Sequence, residues 1–142
     1  MQVPLRVLAV GLPEGDEKLL LDFICELGGS LDSAGSSQDA KRHLAQNSFS
    51  VVVADRDLPE GGWKALWNEL YAMKRPPALI VSSPHADDHL WVEALNLGVF
   101  DVLASPFRRL EIQHAVEVAW ENWRQEWLPY DRLRTRTATC VG

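Results

Sequence analysis

Five short apolar runs punctuate the chain, and a stretch with helical spacing follows each. LRVLAVG (Leu5 to Gly11) is rich in Leu and Val and runs into Gly11 and Pro13, the pattern of a buried strand. Residues 16–29 then put Leu19, Leu20, Phe23, Ile24 and Leu27 on one helical stripe, ended by Gly28 and Gly29. SLDSAG predicts a weak second strand. SSQDAKRHLAQN opens with serine caps and carries Ala40, Leu44 and Ala45 on one helix face. SFSVVVAD is a strong third strand. WKALWNELYAM places Trp63, Leu66, Trp67 and Leu70 on one side of a helix. PPALIVSS reads as a strand behind two prolines, DDHLWVEALNLG as a helix ended by Gly98, and FDVLAS as a short strand. RRLEIQHAVEVAWENWRQEW closes the pattern as a long helix with Ile112, Val116, Ala119 and Trp123 toward the core.

The strands are apolar throughout instead of alternating, so both of their faces are buried. Helices between such strands are crossovers, and right-handed crossovers build a parallel sheet with helices on both sides. The predicted fold class is therefore α/β: a doubly wound, five-stranded parallel sheet. In this architecture ligands meet the carboxyl ends of the strands. Asp55 lies at such an end, as do Gly11, Ser82, Ser83 and Ser105.

Composition agrees with one soluble domain. The chain has 142 residues, 46% hydrophobic and 24% charged. No apolar run is long enough to span a membrane and no signal pattern opens the chain, so a cytoplasmic protein is expected. Cys25 falls in a helical pattern and Cys140 in the tail, which argues against a disulfide; Cys25 is expected as a small buried hydrophobe. A net charge of −6 argues against a nucleic-acid partner.

Three local motifs now carry a resemblance. VVVADRDLPEGGW has an Asp followed four residues later by Pro and a Gly turn; EALNLGVFDVL is a helix with a Gly exit; SPF closes the fifth strand. Together with the element order, these make residues 5–127 resemble the receiver domain of bacterial two-component response regulators, a flavodoxin-like (βα)5 fold. The resemblance implies that Asp55 is the phospho-acceptor candidate. It also implies a pocket of Gly11, Leu12, Asp57, Ser82, Ser83, Ser105 and Pro106, with the Ser105–Pro106 bond cis. The departures are specific. Where the family carries two acidic residues that hold Mg²⁺, this chain has Gly11 and Leu12. The family's Lys is Ser105, and its aromatic switch residue falls at Val102. Spacing back from Gly98 favours Ser83 as the switch hydroxyl, while strand register favours Ser82; both stay open.

These losses have a physical meaning. Phosphoryl transfer to a carboxylate gathers negative charge, which a divalent cation and a Lys normally neutralise. Gly11 and Leu12 offer no side-chain oxygen, and Ser105 brings no charge. Asp55 and Asp57 are left as weak metal ligands, with the site expected empty. Glu14 and Asp16 could stand in, but at a helix start they are expected to satisfy free N–H groups and the helix dipole.

Six tryptophans are many for 142 residues. Trp63 either folds over the Asp55 pocket or begins its helix and packs. Trp91 precedes a core-like Leu95. Trp120, Trp123 and Trp127 share a stripe. The resemblance implies a partner face on the fourth helix, fifth strand and fifth helix, here Trp91, Val102, Trp120 and Trp127, with an exposed Trp as anchor. Residues 1–127 are expected as the domain and 128–142 as a flexible tail; no output domain follows, which leaves a stand-alone receiver or a fragment.

Three functions follow as expectations. The first is a degenerate receiver, not an enzyme, that needs no cofactor and acts by protein–protein contact. Its partner would be a histidine kinase, an output protein or a second copy through the helix 4–strand 5–helix 5 face, with no nucleic acid or membrane involved. The second is a working acceptor phosphorylated on Asp55, which alone would require Mg²⁺. The third is a small-molecule sensor using the emptied pocket near Leu12 and Trp63.

Overall fold

The computed structural model describes residues 5–59 and 61–127, with side chains to residue 125. The predicted alternation is present: β1 (Arg6–Val10), α1 (Glu14–Glu26), β2 (Ser30–Ala34), α2 (Ser37–Gln46), β3 (Val51–Asp55), α3 (Gly62–Tyr71), β4 (Ala78–Ser83), α4 (Asp88–Leu97), β5 (Asp101–Ala104) and α5 (Arg109–Trp127). All pairings are parallel, in the order β2-β1-β3-β4-β5. The order reverses between β1 and β3, so the crevice of a doubly wound sheet opens above those two strands.

The core has two layers because alternate strand residues face opposite sides. Leu8, Val10, Val52, Ala54, Leu79, Val81 and Val102 pack with Ala40 of α2, Leu66 and Leu70 of α3, and Leu90 and Ala94 of α4. Val7, Ala9, Val51, Val53, Ile80 and Leu103 pack with Leu20, Phe23 and Ile24 of α1 and with Ile112, Ala115, Val116 and Ala119 of α5. Ser36 caps α2 by accepting from the Asp39 N–H at 3.2 Å, and Asp87 caps α4 by accepting from the Leu90 N–H at 3.0 Å. Gly98 ends α4 in the left-handed region, at φ +99°, where the edge of the Trp67 ring leaves a side chain little space.

Four expectations need correction. Cys25 is exposed, because it follows Ile24 on α1 and so points off the apolar stripe. Leu27 is 41% exposed, since α1 ends at Glu26 and the chain turns away. Leu95 is 37% exposed, because Leu90 and Ala94 already supply the buried side of α4. Val102 is buried between β4 and the α4 layer, so it belongs to the core and offers no surface to a partner. Trp63 packs in the α2–α4 layer as an ordinary core residue. The Ser105–Pro106 bond is cis, as expected. The tail, residues 128–142, lies outside the described residues. Among the described residues no helix is long and apolar enough to cross a membrane.

Candidate functional site at the carboxyl edge of the sheet

Asp55 is the last residue of β3, delivered to the rim by four strand residues that are fully buried. Its Oδ2 accepts the backbone N–H of Asp57 at 3.0 Å, a local turn that fixes the carboxylate. The loop beyond is strapped down. The Arg56 N–H donates to the Ser82 carbonyl at 2.8 Å, and the Trp63 N–H donates to the Arg56 carbonyl at 3.1 Å. Partial burial pushes the Asp55 carboxyl above the ordinary range. The Asp57 N–H opposes this, the Asp57 and Asp16 charges add to it, and Arg56 offsets part.

Gly11 ends β1 beside it, at φ +66°. A Cβ placed at Gly11 would fall 2.5 Å from Cδ2 of Leu58 and 3.9 Å from Cβ of Asp55. Leu58 itself is 5% exposed and part of the core. A side chain at position 11 would thus meet a Leu58 methyl at its first carbon. Leu12 is half-buried and leans on the α1–α5 layer. Asp57 faces solvent, its Oδ1 3.8 Å from Arg56 Nε. Among the described residues no group of three His, Cys, Asp or Glu side chains is placed to hold a metal ion.

Ser82 is fully buried and sits in register with Asp55 on the neighbouring strand; its hydroxyl lies 3.5 Å from the Ala54 carbonyl. Ser83 is turned into its own loop, accepting the His85 N–H at 3.0 Å. Strand register therefore sets Ser82 beside Asp55, while the Ser83 hydroxyl has a partner within its own turn.

Asp16 departs most from the sequence reading. It does not cap α1, whose N-terminus has no side-chain cap. Its carboxylate is 4% exposed and crosses to the β5–α5 connection. Oδ1 accepts the Phe107 N–H at 2.8 Å, and Oδ2 accepts the Ser105 hydroxyl. Hydrogen bonds to a charged group contribute about 1.5–3 kcal/mol each, against about 1 kcal/mol for a typical cap, so the longer reach wins. A signal for this was present. Asp16 stands at i relative to Leu20, Phe23 and Ile24 at i+4, i+7 and i+8, so a carboxylate sits on the buried stripe. Leu58, flanked by Asp57 and Pro59, gave no comparable sign.

The expected partner face is only partly available. Trp91 is 44% exposed on α4, next to Val92 at 59% and close to Leu95. Trp120 is half-buried, with the Arg124 guanidinium 5.1 Å from its ring centre. Trp123 is core, as expected. The Trp127 side chain lies outside the described residues.

No family model matches the chain. Among curated proteins, the transcriptional regulatory protein LytR of Staphylococcus aureus is 28% identical over 93 residues, 64% of this chain and 37% of that protein. The transcriptional regulatory protein PmrA of Pectobacterium parmentieri is 29% identical over 108 residues, 71% of this chain and 47% of that protein. The chain thus spans less than half the length of the curated relatives it matches. Among solved structures, the beryllofluoride-activated NtrC4 receiver domain dimer matches with a TM-score of 0.75 and 24% identity, over 83% of this chain and 98% of that one. The fold is the response-regulator receiver fold, and the chain resembles receiver domains along nearly its whole described length.

Two outcomes are expected from this geometry. Asp16→Ala should cost about 2–4 kcal/mol in denaturant unfolding, because it leaves the Phe107 N–H and the Ser105 hydroxyl without their acceptor. Asp16→Asn, which can still accept from Phe107, should lose less. Asp55→Asn should raise Tm at pH 7. The folded-state pKa of Asp55 lies above its unfolded value, so the folded protein holds the proton more tightly, and stability falls as pH rises from the unfolded toward the folded pKa. The advantage of the amide should therefore shrink as pH falls toward the ordinary Asp value of 3.8.

Proposed function

We propose that this chain is a receiver-like domain of two-component signalling that acts through protein contacts and does not depend on phosphorylation of Asp55. The supporting observation is the pairing of a side-chain-free Gly11 with the apolar Leu58 methyl against it, where the resemblance would place a metal-binding carboxylate. Mg²⁺ asks for near-octahedral oxygen ligands. On this reading the residues present do not fit it: Gly11 and Leu12 supply no oxygen, Leu58 occupies the neighbouring volume, and the Asp16 carboxylate is engaged by Ser105 and Phe107. A phosphoryl group on Asp55 would replace its single charge with up to about two negative charges beside Asp57 and Asp16. Arg56, half-exposed and 3.8 Å from Asp57, is a weak counterweight.

The partner surface in this reading is the exposed α4 stripe of Trp91, Val92 and Leu95. An accessible Trp beside two aliphatic side chains suits an interface anchor. The fitting partner is a protein: a kinase, an output protein or a second copy. The NtrC4 receiver domain, described as a dimer, makes self-association the first case to test. We place the domain at residues 1–127.

Two measurements test the reading. Incubation with a small phosphodonor and Mg²⁺, followed by intact mass, should leave the chain unmodified; a stoichiometric gain of one phosphoryl group, abolished in Asp55→Asn, would show a working acceptor instead. Trp91→Arg should change stability by no more than about 0.5 kcal/mol, as expected for an exposed site. It should also abolish self-association in sedimentation velocity; a monomer in both forms would move the interface to a different protein.

A further inference from the structure

The amino edge of the sheet, opposite Asp55, carries a cavity of about 260 Å³. It lies between the α2–β3 connection, the α3–β4 connection and the last turns of α5. Its apolar wall is Leu44, Phe49, Met73 and Trp123, and its polar rim includes Lys74 and Arg75. Among the described residues no carboxylate lines it, in a chain whose net charge is −6. Among the described residues, neither Lys74 nor Arg75 has a carboxylate within ion-pair distance, whereas Lys41, Lys64 and Arg109 each have one.

Two further features mark the place as built. The Arg75 guanidinium lies 5.0 Å from the centre of the Trp123 ring, held over an aromatic face instead of being free in water. Trp123 is 7% exposed, and among the described residues its indole N–H, like that of Trp120, is buried without an acceptor. Leaving such a donor unpaired costs free energy, and native structures rarely do so without a reason.

We propose that this cavity is a ligand site for a small organic anion, a carboxylate on an aromatic or compact apolar body. The apolar wall takes the body, and Arg75 with Lys74 takes the carboxylate. Arg presents a planar fork that matches a carboxylate, and Lys adds a point charge. The size is suitable: roughly 150 Å³ is enough for a benzene ring, which leaves space here for a fused ring or a short acidic arm. Trp123 also borders a neighbouring cavity of about 270 Å³ that has no charged residue in its lining, so charge distinguishes the two. The proposal is independent of the reading of the Asp55 edge.

The probe is 1-naphthoate, with 1-naphthalenemethanol as its neutral counterpart, titrated into ¹⁵N-labelled full-length chain at pH 7. A saturable shift of the Trp123 indole signal, assigned with Trp123→Phe, is expected for naphthoate. Its apparent Kd should be at least tenfold lower than that of the alcohol. Arg75→Ala and Lys74→Ala alter exposed side chains, and each should weaken naphthoate at least tenfold while leaving the spectrum otherwise intact. Equal binding of the two probes, binding unaffected by both substitutions, or no saturable shift up to 5 mM probe (on the order of the weakest ligand affinities) would each overturn the assignment.

Discussion

Everything in this molecule depends on the burial of its central strand from both sides. Val51, Val52, Val53 and Ala54 are fully buried, with odd positions against α1 and α5 and even positions against α2, α3 and α4. A strand with two apolar faces has no solvated side on which to carry polar chemistry. Reactive groups can stand only where the strand ends, and in a parallel sheet the ends align. Asp55, Ser82 and Gly11 meet at one rim for that reason, and the cavity beneath Trp123 opens at the other.

At the carboxyl rim the Asp55 carboxylate is held by its own turn, accepting the Asp57 N–H. Gly11 beside it backs onto a methyl of the buried Leu58. The rim also holds a second, buried carboxylate, Asp16, which accepts from Ser105 and the Phe107 N–H. The connection after β5 is thereby fastened to α1 by hydrogen bonds internal to the protein. Two of these bonds to a buried carboxylate outweigh an ordinary loop contact.

Element order and core were legible in the sequence because apolar periodicity is set by burial. Ile112, Val116, Ala119 and Trp123 all face inward as their spacing requires. Several misplaced residues share a physical cause: a helix has a limited buried width, and residues at the stripe's margin are decided by neighbours remote in the chain. Leu27, Leu95 and Cys25 fell at that margin. Val102 was assigned by analogy to a surface that the parity of β5 does not give it. Asp16 was placed by local helix logic when its partners stand 89 and 91 positions away. Leu58, a lone Leu in a charged loop, has no periodicity to read.

The two rims are joined by every element that runs between them, and α5 is one of these. Its first turn follows the Ser105–Phe107 segment that Asp16 grips, and its last turns carry Trp120, Trp123 and Arg124. Between these ends Ile112, Val116 and Ala119 are fully buried against the sheet, so the helix is held along its length and moves, if at all, as a body. A change in packing under Trp123 therefore acts on the same element that Asp16 anchors. The amino rim holds Lys74 and Arg75 at a cavity and, among the described residues, an indole N–H without a partner, at the edge opposite Asp55.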